Sequence, residues 1–112
     1  MSQDIPLHHH KLVAWQRADD LFIRIHLLSR TFPSYERYEL GSQIRRAAYS
    51  VVANIVEGFG RRTLRDRVHF LHIAAASLAE VGYCIHAVNA SDTSPHRPLP
   101  NWKRNSVRQL RL

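Results

Sequence analysis

Arginines near the middle of the chain are the residues whose type and spacing best suit a chemical role. Guanidinium groups bind phosphate oxygens through charge-assisted hydrogen bonds, so clustered arginines can bind the backbone of RNA or DNA. The sequence predicts such a cluster at one end of two neighbouring helices, formed by Arg45, Arg46, Arg61, Arg62, Arg65 and Arg67. Three residues would extend this basic surface along one helix and add aromatic rings to it: His69, His72 and Tyr83.

The net charge favours a polyanionic partner without defining a binding site. The chain has a formal charge of +7 and a pI near 10.5. Residues 1–90 hold eleven Lys and Arg against eight Asp and Glu, whereas residues 91–112 hold five against one. More than half of the excess charge therefore lies in the C-terminal segment, and it indicates non-specific binding rather than sequence-specific readout. The alternative is a solvated surface whose arginines pair with acidic residues: Glu36, Glu39, Glu57 and Asp66.

The histidines give a weaker indication of metal binding or catalysis. Residues 8–10 are three adjacent histidines, which cannot all point at one ion from a helix, and we expect a flexible run there. His69 and His72 can share a helix face, but no carboxylate or cysteine pattern completes a tetrahedral site. An enzyme using these two residues with Glu80 is the least favoured hypothesis. We predict a non-enzymatic protein without a metal or another cofactor, with Cys84 in the core.

Helical periodicity accounts for most of residues 10–88, and no β-pattern or internal repeat competes with it. A first helix of about twenty residues should end near Pro33, because proline disfavours helical geometry in the residue before it. A second should cover about residues 36–57. A third should begin at Thr63, which has capping-box spacing to Asp66. Three antiparallel helices joined by short connections predict an all-α helical bundle.

Apolar residues at helical spacing give the second and third helices a predicted core-facing stripe. The stripe of the second helix consists of Leu40, Ile44, Ala47, Ala48, Val51 and Ile55. The stripe of the third consists of Leu64, Val68, Leu71, Ala75, Leu78, Gly82 and Ile85. Further apolar residues lie opposite these stripes: Tyr49, Ala53, Val56, Phe70, Ile73 and Cys84. A helix that is apolar nearly all round must be covered on both sides, so we expect a homo-oligomer; packing within one monomer is equally compatible with the spacing.

The chain of 112 residues has room for one domain with two flanking segments. We expect a flexible N-terminus over residues 1–9, the helical bundle domain over residues 10–88, and a proline-rich basic tail over residues 89–112 that is disordered or a degraded fourth helix. The N-terminus lacks a secretory pattern, and a single cysteine excludes an intrachain disulfide. With no run long enough to span a bilayer, the expected compartment is the cytoplasm, without a membrane partner.

The segment "ANIVEGFGRR", residues 53–62, contains polar and flexible residues within an otherwise apolar helix. Asn54 is predicted to be structural, because a single polar residue beside a core stripe can fix helix register. Glu57 lies near the negative end of the helix dipole, so we expect an arginine of the same or another subunit to hold it. Gly58 and Gly60 are predicted to supply unusual backbone angles at the break. The segment therefore indicates an architectural clamp rather than an active site.

A longer pattern resembles a known family. The sequence "FPSYERYELGSQIRRAAYSVVANIVEGFGR", followed after a short gap by "FLHIAAASLAEV", resembles the 23S rRNA intervening-sequence proteins, a family of small four-helix bundle proteins. The likeness runs from about Trp15 to about Val88. Its core is Phe32-Pro33, Leu40, Gln43, Arg45-Arg46-Ala47, Ser50, Ala53-Asn54-Ile55, Glu57-Gly58, Gly60-Arg61, Phe70-Leu71, Ala74, Ser77-Leu78 and Glu80.

The resemblance implies a bundle encoded in inserts within bacterial ribosomal RNA genes and elsewhere in bacterial genomes. A related branch is similar to the accessory proteins of diversity-generating retroelements, which form pentamers and associate with a reverse transcriptase and nucleic acid. No catalytic residues are attached to the family. This sequence departs from the family pattern where a fourth apolar helix would close the bundle, because the proline-rich tail stands there.

Two functional hypotheses follow from the residues and the resemblance together. The leading one is a non-enzymatic, oligomeric bundle that binds RNA or DNA through its arginine-rich surface. The alternative is a protein-interaction scaffold, for example an accessory subunit of a reverse transcriptase, without nucleic-acid binding of its own. Salt-dependent affinity for nucleic acid distinguishes them, because only the first hypothesis requires phosphate contacts.

Overall fold

A computed structural model describes residues 8–34 and 38–90 and shows three long α-helices. A short 3-10 helix at His8–Lys11 precedes α1 (Val13–Ser29), α2 (Leu40–Phe59) and α3 (Leu64–Ala90). The described residues contain no β-strand, so the all-α prediction is confirmed. The predicted tail begins at the end of α3, and from residue 91 onward it lies outside the described residues.

Helix α2 is the centre of the packing, with α3 forming its larger interface and α1 the smaller. The main core joins all three helices and the segment that follows α1: Leu21, Ile25, Leu28, Phe32, Ile44, Ala47, Ala48, Val81, Cys84 and Val88. A second cluster near the α2–α3 turn consists of Ala18, Val51, Ile55 and Ala74, with Trp15 and Val52 packed against it. The apolar stripe predicted for α2 therefore faces the core.

Two of the three predicted helix boundaries, the end of α1 and the start of α3, agree with the sequence signals near them. Helix α1 ends at Ser29, four residues before Pro33, and backbone hydrogen bonds from the next residues close its last turn. Helix α3 begins directly after Thr63, whose Oγ1 accepts the N–H of Asp66 at 3.1 Å, as the capping spacing predicts. Helix α2 differs from the prediction, because it begins at Leu40 rather than near residue 36.

The stripe predicted to be the core face of α3 is mostly exposed, and that prediction is wrong. Leu64, Leu71 and Leu78 are 77%, 46% and 47% exposed. The buried residues of α3 are Ala74, Ser77, Val81, Cys84 and Val88, which lie against α2. Both sets have the same spacing of three and four residues, so periodicity alone could not choose between them. Cys84 is buried, as predicted.

Having two apolar faces also makes α3 unusually hydrophobic for its length. By length and composition, Leu64–Ala90 is apolar enough to cross a membrane, with a mean hydropathy of 1.4 over its most apolar stretch, of which 22% is buried. This property contradicts the prediction from the sequence that no apolar run of residues is long enough to span a bilayer. A core helix of a globular protein can meet the same criterion, so the property describes the helix without assigning a membrane to it.

Candidate nucleic-acid interface at the α2–α3 turn

The turn between α2 and α3, residues 60–63, is held by backbone hydrogen bonds on both sides. The N–H of Gly60 donates to Val56 O at 3.1 Å, and the N–H of Arg61 donates to Gly58 O at 3.2 Å. On the other side, the N–H of Arg67 donates to Thr63 O at 3.1 Å. The first two bonds use carbonyl groups of the last turn of α2 that a helix end otherwise leaves without partners, and the third is the first intrahelical bond of α3. The turn is therefore a defined structure that presents its side chains from a fixed backbone.

Glu57 is paired with an arginine of its own subunit, which confirms the prediction that an arginine holds it. Nη2 of Arg61 donates to Oε2 of Glu57 at 2.8 Å, one helical turn away. The same guanidinium lies over the ring of Phe70, 4.7 Å from its centroid. Because both charged side chains are about half exposed, the ion pair stabilises the fold by only about 0.5 kcal/mol. Its larger effect is to fix where Arg61 points.

Four arginines lie in the turn or in the first turn of α3, and their surroundings differ: Arg61, Arg62, Arg65 and Arg67. Nε of Arg67 donates to the carbonyl oxygen of Arg61 at 2.7 Å, so its guanidinium is tied to the turn backbone. Arg62 and Arg65 are exposed, and within residues 8–34 and 38–90 no acidic side chain forms an ion pair with either of them. The turn therefore combines two arginines that hold it together with two that point into solvent.

The glycines of the turn have a different role from the predicted one. No glycine in the described residues has a positive φ, and Gly60 has φ −78° and ψ −6°, an ordinary helical geometry. Gly58 lies inside α2, where an added Cβ would be 3.2 Å from Arg67 O and 3.2 Å from Phe70 Cβ. Gly58 is thus required for the close approach of α3, and the prediction of unusual backbone angles is wrong.

Asn54 belongs to a polar network across the α2–α3 interface. Its Nδ2 donates to Ser50 O at 2.8 Å and to Ser50 Oγ at 3.1 Å. The Ser50 hydroxyl is in turn 2.7 Å from the hydroxyl of Ser77 on α3. The arrangement matches a structural role for Asn54, since a polar group within a packed interface fixes the register of the two helices. Sequence reasoning did not pair Ser77 with it, although a serine on an apolar helix face was the available signal.

Arg45 and Arg46 do not join the turn cluster, contrary to the prediction of one group at one end. They lie in the first half of α2, about 20 Å along the helix axis from the turn at about 1.5 Å per residue. Nη1 of Arg45 donates at 2.9 Å to Oγ of Ser29, which is 1% exposed. Arg45 therefore ties α1 to α2, and Arg46 is exposed and forms no ion pair with another described residue.

The histidines are spread over separate surfaces. His69 and His72 are exposed on α3, with the His69 ring 5.2 Å from that of Phe70, and Tyr83 is exposed further along the helix. The histidine run, expected to be flexible, lies in the 3-10 helix, where the ring of His10 stacks on Trp15 at 4.0 Å. In the part of the chain that the structure describes, no three His, Cys, Asp or Glu residues are placed to hold a metal ion.

An apolar groove runs between α1 and α3 on the open side of α2. Its volume is about 430 Å³, and its apolar lining consists of Ala14, Ala18, Leu21, Val51, Ile55 and Leu78. Three charged residues of α1 complete the lining: Arg17, Asp20 and Arg24. Asp20 and Arg24 pair with each other at 3.0 Å, so they form a neutral rim beside an apolar surface. The groove suits an apolar helix better than a nucleic acid.

Comparison with known families decides the relationship. The family described as 23S rRNA-intervening sequence protein matches residues 10–106. The chain belongs to this family. The match covers the whole predicted bundle domain, residues 10–88, and continues beyond α3 into the proline-rich tail, further than the range from Trp15 to Val88 that carried the resemblance. No curated protein matches the chain. The relation to retroelement accessory proteins stays a prediction.

Proposed function

We propose that this member of the 23S rRNA-intervening sequence family is a non-enzymatic protein that binds RNA or DNA through the α2–α3 turn. The observation that carries the proposal is the local charge. Residues 61–67 contain four arginines and one acidic residue, Asp66, and all of these side chains are exposed. The nearest other carboxylate, Glu57, is already paired with Arg61. The result is a concentrated positive charge on a fixed backbone, which suits a phosphate chain.

The proposed binding is independent of base sequence. Direct readout of bases needs an element that enters a groove with several side chains aimed at base edges. At the turn, the exposed polar side chains are mainly guanidinium groups, which suit phosphate oxygens at any sequence. We therefore expect affinity to fall steeply with salt concentration and to vary little among RNAs of similar structure.

The spacing of the remaining titratable residues supports the non-enzymatic proposal. His69 and His72 lie within one turn of α3, whereas Glu80 lies about 12 Å further along the axis than His72, at about 1.5 Å per residue. General acid–base catalysis needs its groups within hydrogen-bond reach of the same reacting atoms. The three residues considered for catalysis are too far apart to share one site on this helix.

We also propose that the protein assembles as a homo-oligomer, by analogy a pentamer, and that a fourth helix fills the groove between α1 and α3. The exposed stripe of α3 supports the assembly, because its leucines are partly exposed in the monomer. Gly82 supports it independently: among residues 8–34 and 38–90, no atom outside its own stretch of helix lies within 4 Å of the position of its missing Cβ. A glycine within a helix costs about 1 kcal/mol relative to alanine, and the monomer gives no reason for it. Close approach by another helix would give a reason for a glycine at this position.

A scaffold without intrinsic nucleic-acid binding is the second candidate function. The observation that favours it is the same apolar surface, since Leu64, Leu71 and Leu78 can seat a helix of another protein, such as a reverse transcriptase, as readily as a second copy. In that case the arginines at the turn would only keep the assembly soluble. The two candidates differ in one measurable property, the salt-dependent affinity for RNA.

Sedimentation velocity with a labelled structured RNA, at low and at moderate salt, tests the proposal. We expect the protein to co-sediment with RNA at low salt and to dissociate as salt rises. The variant with both Arg62→Glu and Arg65→Glu should lose binding while its helical circular dichroism stays unchanged. Arg46→Glu reverses one charge rather than two and is the control for charge reversal away from the turn, because Arg46 is exposed and distant from it. A wild-type oligomer that ignores RNA at low salt would support the scaffold instead.

A further inference from the structure

We propose that the four arginines at the α2–α3 turn divide into two pairs with separate tasks. Arg61 and Arg67 hold the turn, whereas Arg62 and Arg65 contact the phosphates. This division rests on the proposed function, because it assigns residues within the proposed nucleic-acid interface. It narrows the proposed interface from the whole basic surface to the side chains of Arg62 and Arg65. Hydrogen bonds already hold the backbone on either side of them.

Arg61 is committed to contacts within its own subunit. Its guanidinium donates to Glu57 Oε2 at 2.8 Å and lies over the Phe70 ring, 4.7 Å from the centroid. A phosphate that took the Nη2 hydrogen now donated to Glu57 would replace one charge-assisted hydrogen bond with another of the same kind. The exchange therefore contributes little to affinity. Its ion pair also places a negative charge beside it, which repels an approaching phosphate.

Arg67 is committed through a different bond. Its Nε donates to the carbonyl oxygen of Arg61 at 2.7 Å, so the side chain of the first turn of α3 reaches back to the connection. Its backbone is also fixed, because its N–H donates to Thr63 O and its carbonyl oxygen lies against Gly58. Arg67 thus links both ends of the connection, and its Nε–H, which donates to the turn backbone, is not available to a phosphate.

Arg62 and Arg65 occupy the places between these fixed residues. Arg62 is in the connection itself, next to Arg61, and Arg65 is the second residue of α3. Both are exposed, and neither forms an ion pair within the described residues. Because the backbone on either side is already held, binding orders only the two side chains and not the loop. Phosphate contacts made by Arg62 and Arg65 therefore contribute the most to affinity.

Four single substitutions test the division, each removing one positive charge: Arg61→Ala, Arg62→Ala, Arg65→Ala and Arg67→Ala. The measured quantity is the slope of log affinity against log salt concentration, with fluorescently labelled oligouridylate as the probe. Each phosphate contact to a single strand contributes about 0.7 to this slope. We expect Arg62→Ala and Arg65→Ala each to reduce the slope by about 0.7. Arg61→Ala and Arg67→Ala should keep the wild-type slope and instead lower the urea midpoint of unfolding.

Two further variants separate contact from charge. Arg62→Lys keeps a positive charge on a flexible side chain, so it should retain most of the slope but bind more weakly, because an ammonium group cannot make the bidentate contact of a guanidinium. Arg46→Ala removes an exposed charge far from the turn and should change neither the slope nor the urea midpoint. Equal loss of slope in all four turn variants, or a loss confined to Arg61→Ala and Arg67→Ala, would overturn the division while leaving the proposed function intact. A wild-type protein without salt-dependent binding overturns the proposed function, and the division with it.

Discussion

Helix α3 has two apolar faces with the same residue spacing, of which one is buried and the other is exposed. The face against α2 is built largely from small residues and is buried, and Val81 and Cys84 are each 2% exposed. The other face carries Leu64, Leu71 and Leu78, which are larger and remain exposed. The buried face thus carries smaller side chains than these leucines, and small residues let two helix backbones approach closely.

The close approach is visible at two levels of the α2–α3 interface. Near the turn, Gly58 leaves room for the backbone of Arg67 and for Phe70. In the middle, Ser50 and Ser77 come within 2.7 Å of each other, which large side chains at these positions would prevent. The open face has no such partner among the described residues, and its glycine, Gly82, faces empty space. On the packed side, close contacts between α2 and α3 explain the small residues Gly58, Ser50 and Ser77. On the exposed side, no contact among the described residues explains Gly82.

The largest expected difference between the two faces comes from placing a charge on each. Val81→Asp puts a carboxylate into an interface where the wild-type residue is 2% exposed and packed in an apolar cluster, and it should lower the free energy of unfolding by about 4 kcal/mol or abolish folding. Leu71→Asp places the same group on the exposed stripe and should leave the helical circular dichroism signal nearly unchanged. In sedimentation velocity, Leu71→Asp should instead dissociate the proposed oligomer. Equal unfolding in both variants would contradict the contrast between the faces.

The polar network gives the next largest effect. Ser50→Ala removes a partner of both Asn54 and Ser77, and we expect the free energy of unfolding to fall by about 1 to 2 kcal/mol in urea denaturation. Adding Ser77→Ala to this variant should cost less than Ser77→Ala costs in the wild type, since its partner is already gone. Strict additivity of the two substitutions would show that the hydroxyl contact does not couple the helices.

Two glycine substitutions compare the faces with the same added methyl group. Gly58→Ala introduces a Cβ at 3.2 Å from a backbone oxygen and should lower stability by about 1 kcal/mol, despite the better helix propensity of alanine. Gly82→Ala meets open space in the monomer and should raise monomer stability by about 0.5 to 1 kcal/mol. If another helix approaches Gly82, the same variant should weaken self-association, which analytical ultracentrifugation measures. A stable Gly58→Ala protein would mean that the interface adjusts freely.

The smallest expected effect is a dependence of folding stability on pH, which comes from the Cys84 thiol on the buried face. Burial raises the pKa of the Cys84 thiol above 9.0, its ordinary value, and the nearby Glu80 carboxylate raises it further. The folded state therefore retains a proton that the unfolded state releases, so this contribution to stability is complete below the unfolded pKa and is lost as pH rises above it. Between about pH 8 and about pH 10, the wild type should lose more thermal stability than Cys84→Ala. Parallel curves for the two proteins would contradict this.

Much of the helical framework was predictable because it depends on neighbours in sequence. The end of α1 before Pro33, the cap at Thr63 and the pairing of Glu57 with an arginine all involve residues within about one helical turn of each other. The start of α2 was misplaced, because the positions ahead of Leu40 match a helical pattern without adopting it in Tyr38 and Glu39.

The candidate site was predicted only in part. The arginines at the turn are adjacent in sequence, so their proximity needed no knowledge of the fold. Arg45 and Arg46 were grouped with them wrongly, since a helix carries residues away from its end by about 1.5 Å each. The bond from Arg45 to Ser29 joins two helices, and nothing in the spacing of either helix indicates it.

The sequence by itself determined which segments are helical, where a proline or a capping threonine bounds them, and where positive charge is concentrated. These properties follow from backbone preferences and from contacts between residues a few positions apart. Only the tertiary structure decided which face of α3 is buried, why Gly58 is a glycine, and which polar groups bridge α2 and α3. Those depend on the distance between two helix backbones, which the sizes of many side chains set together and which no single periodic pattern records.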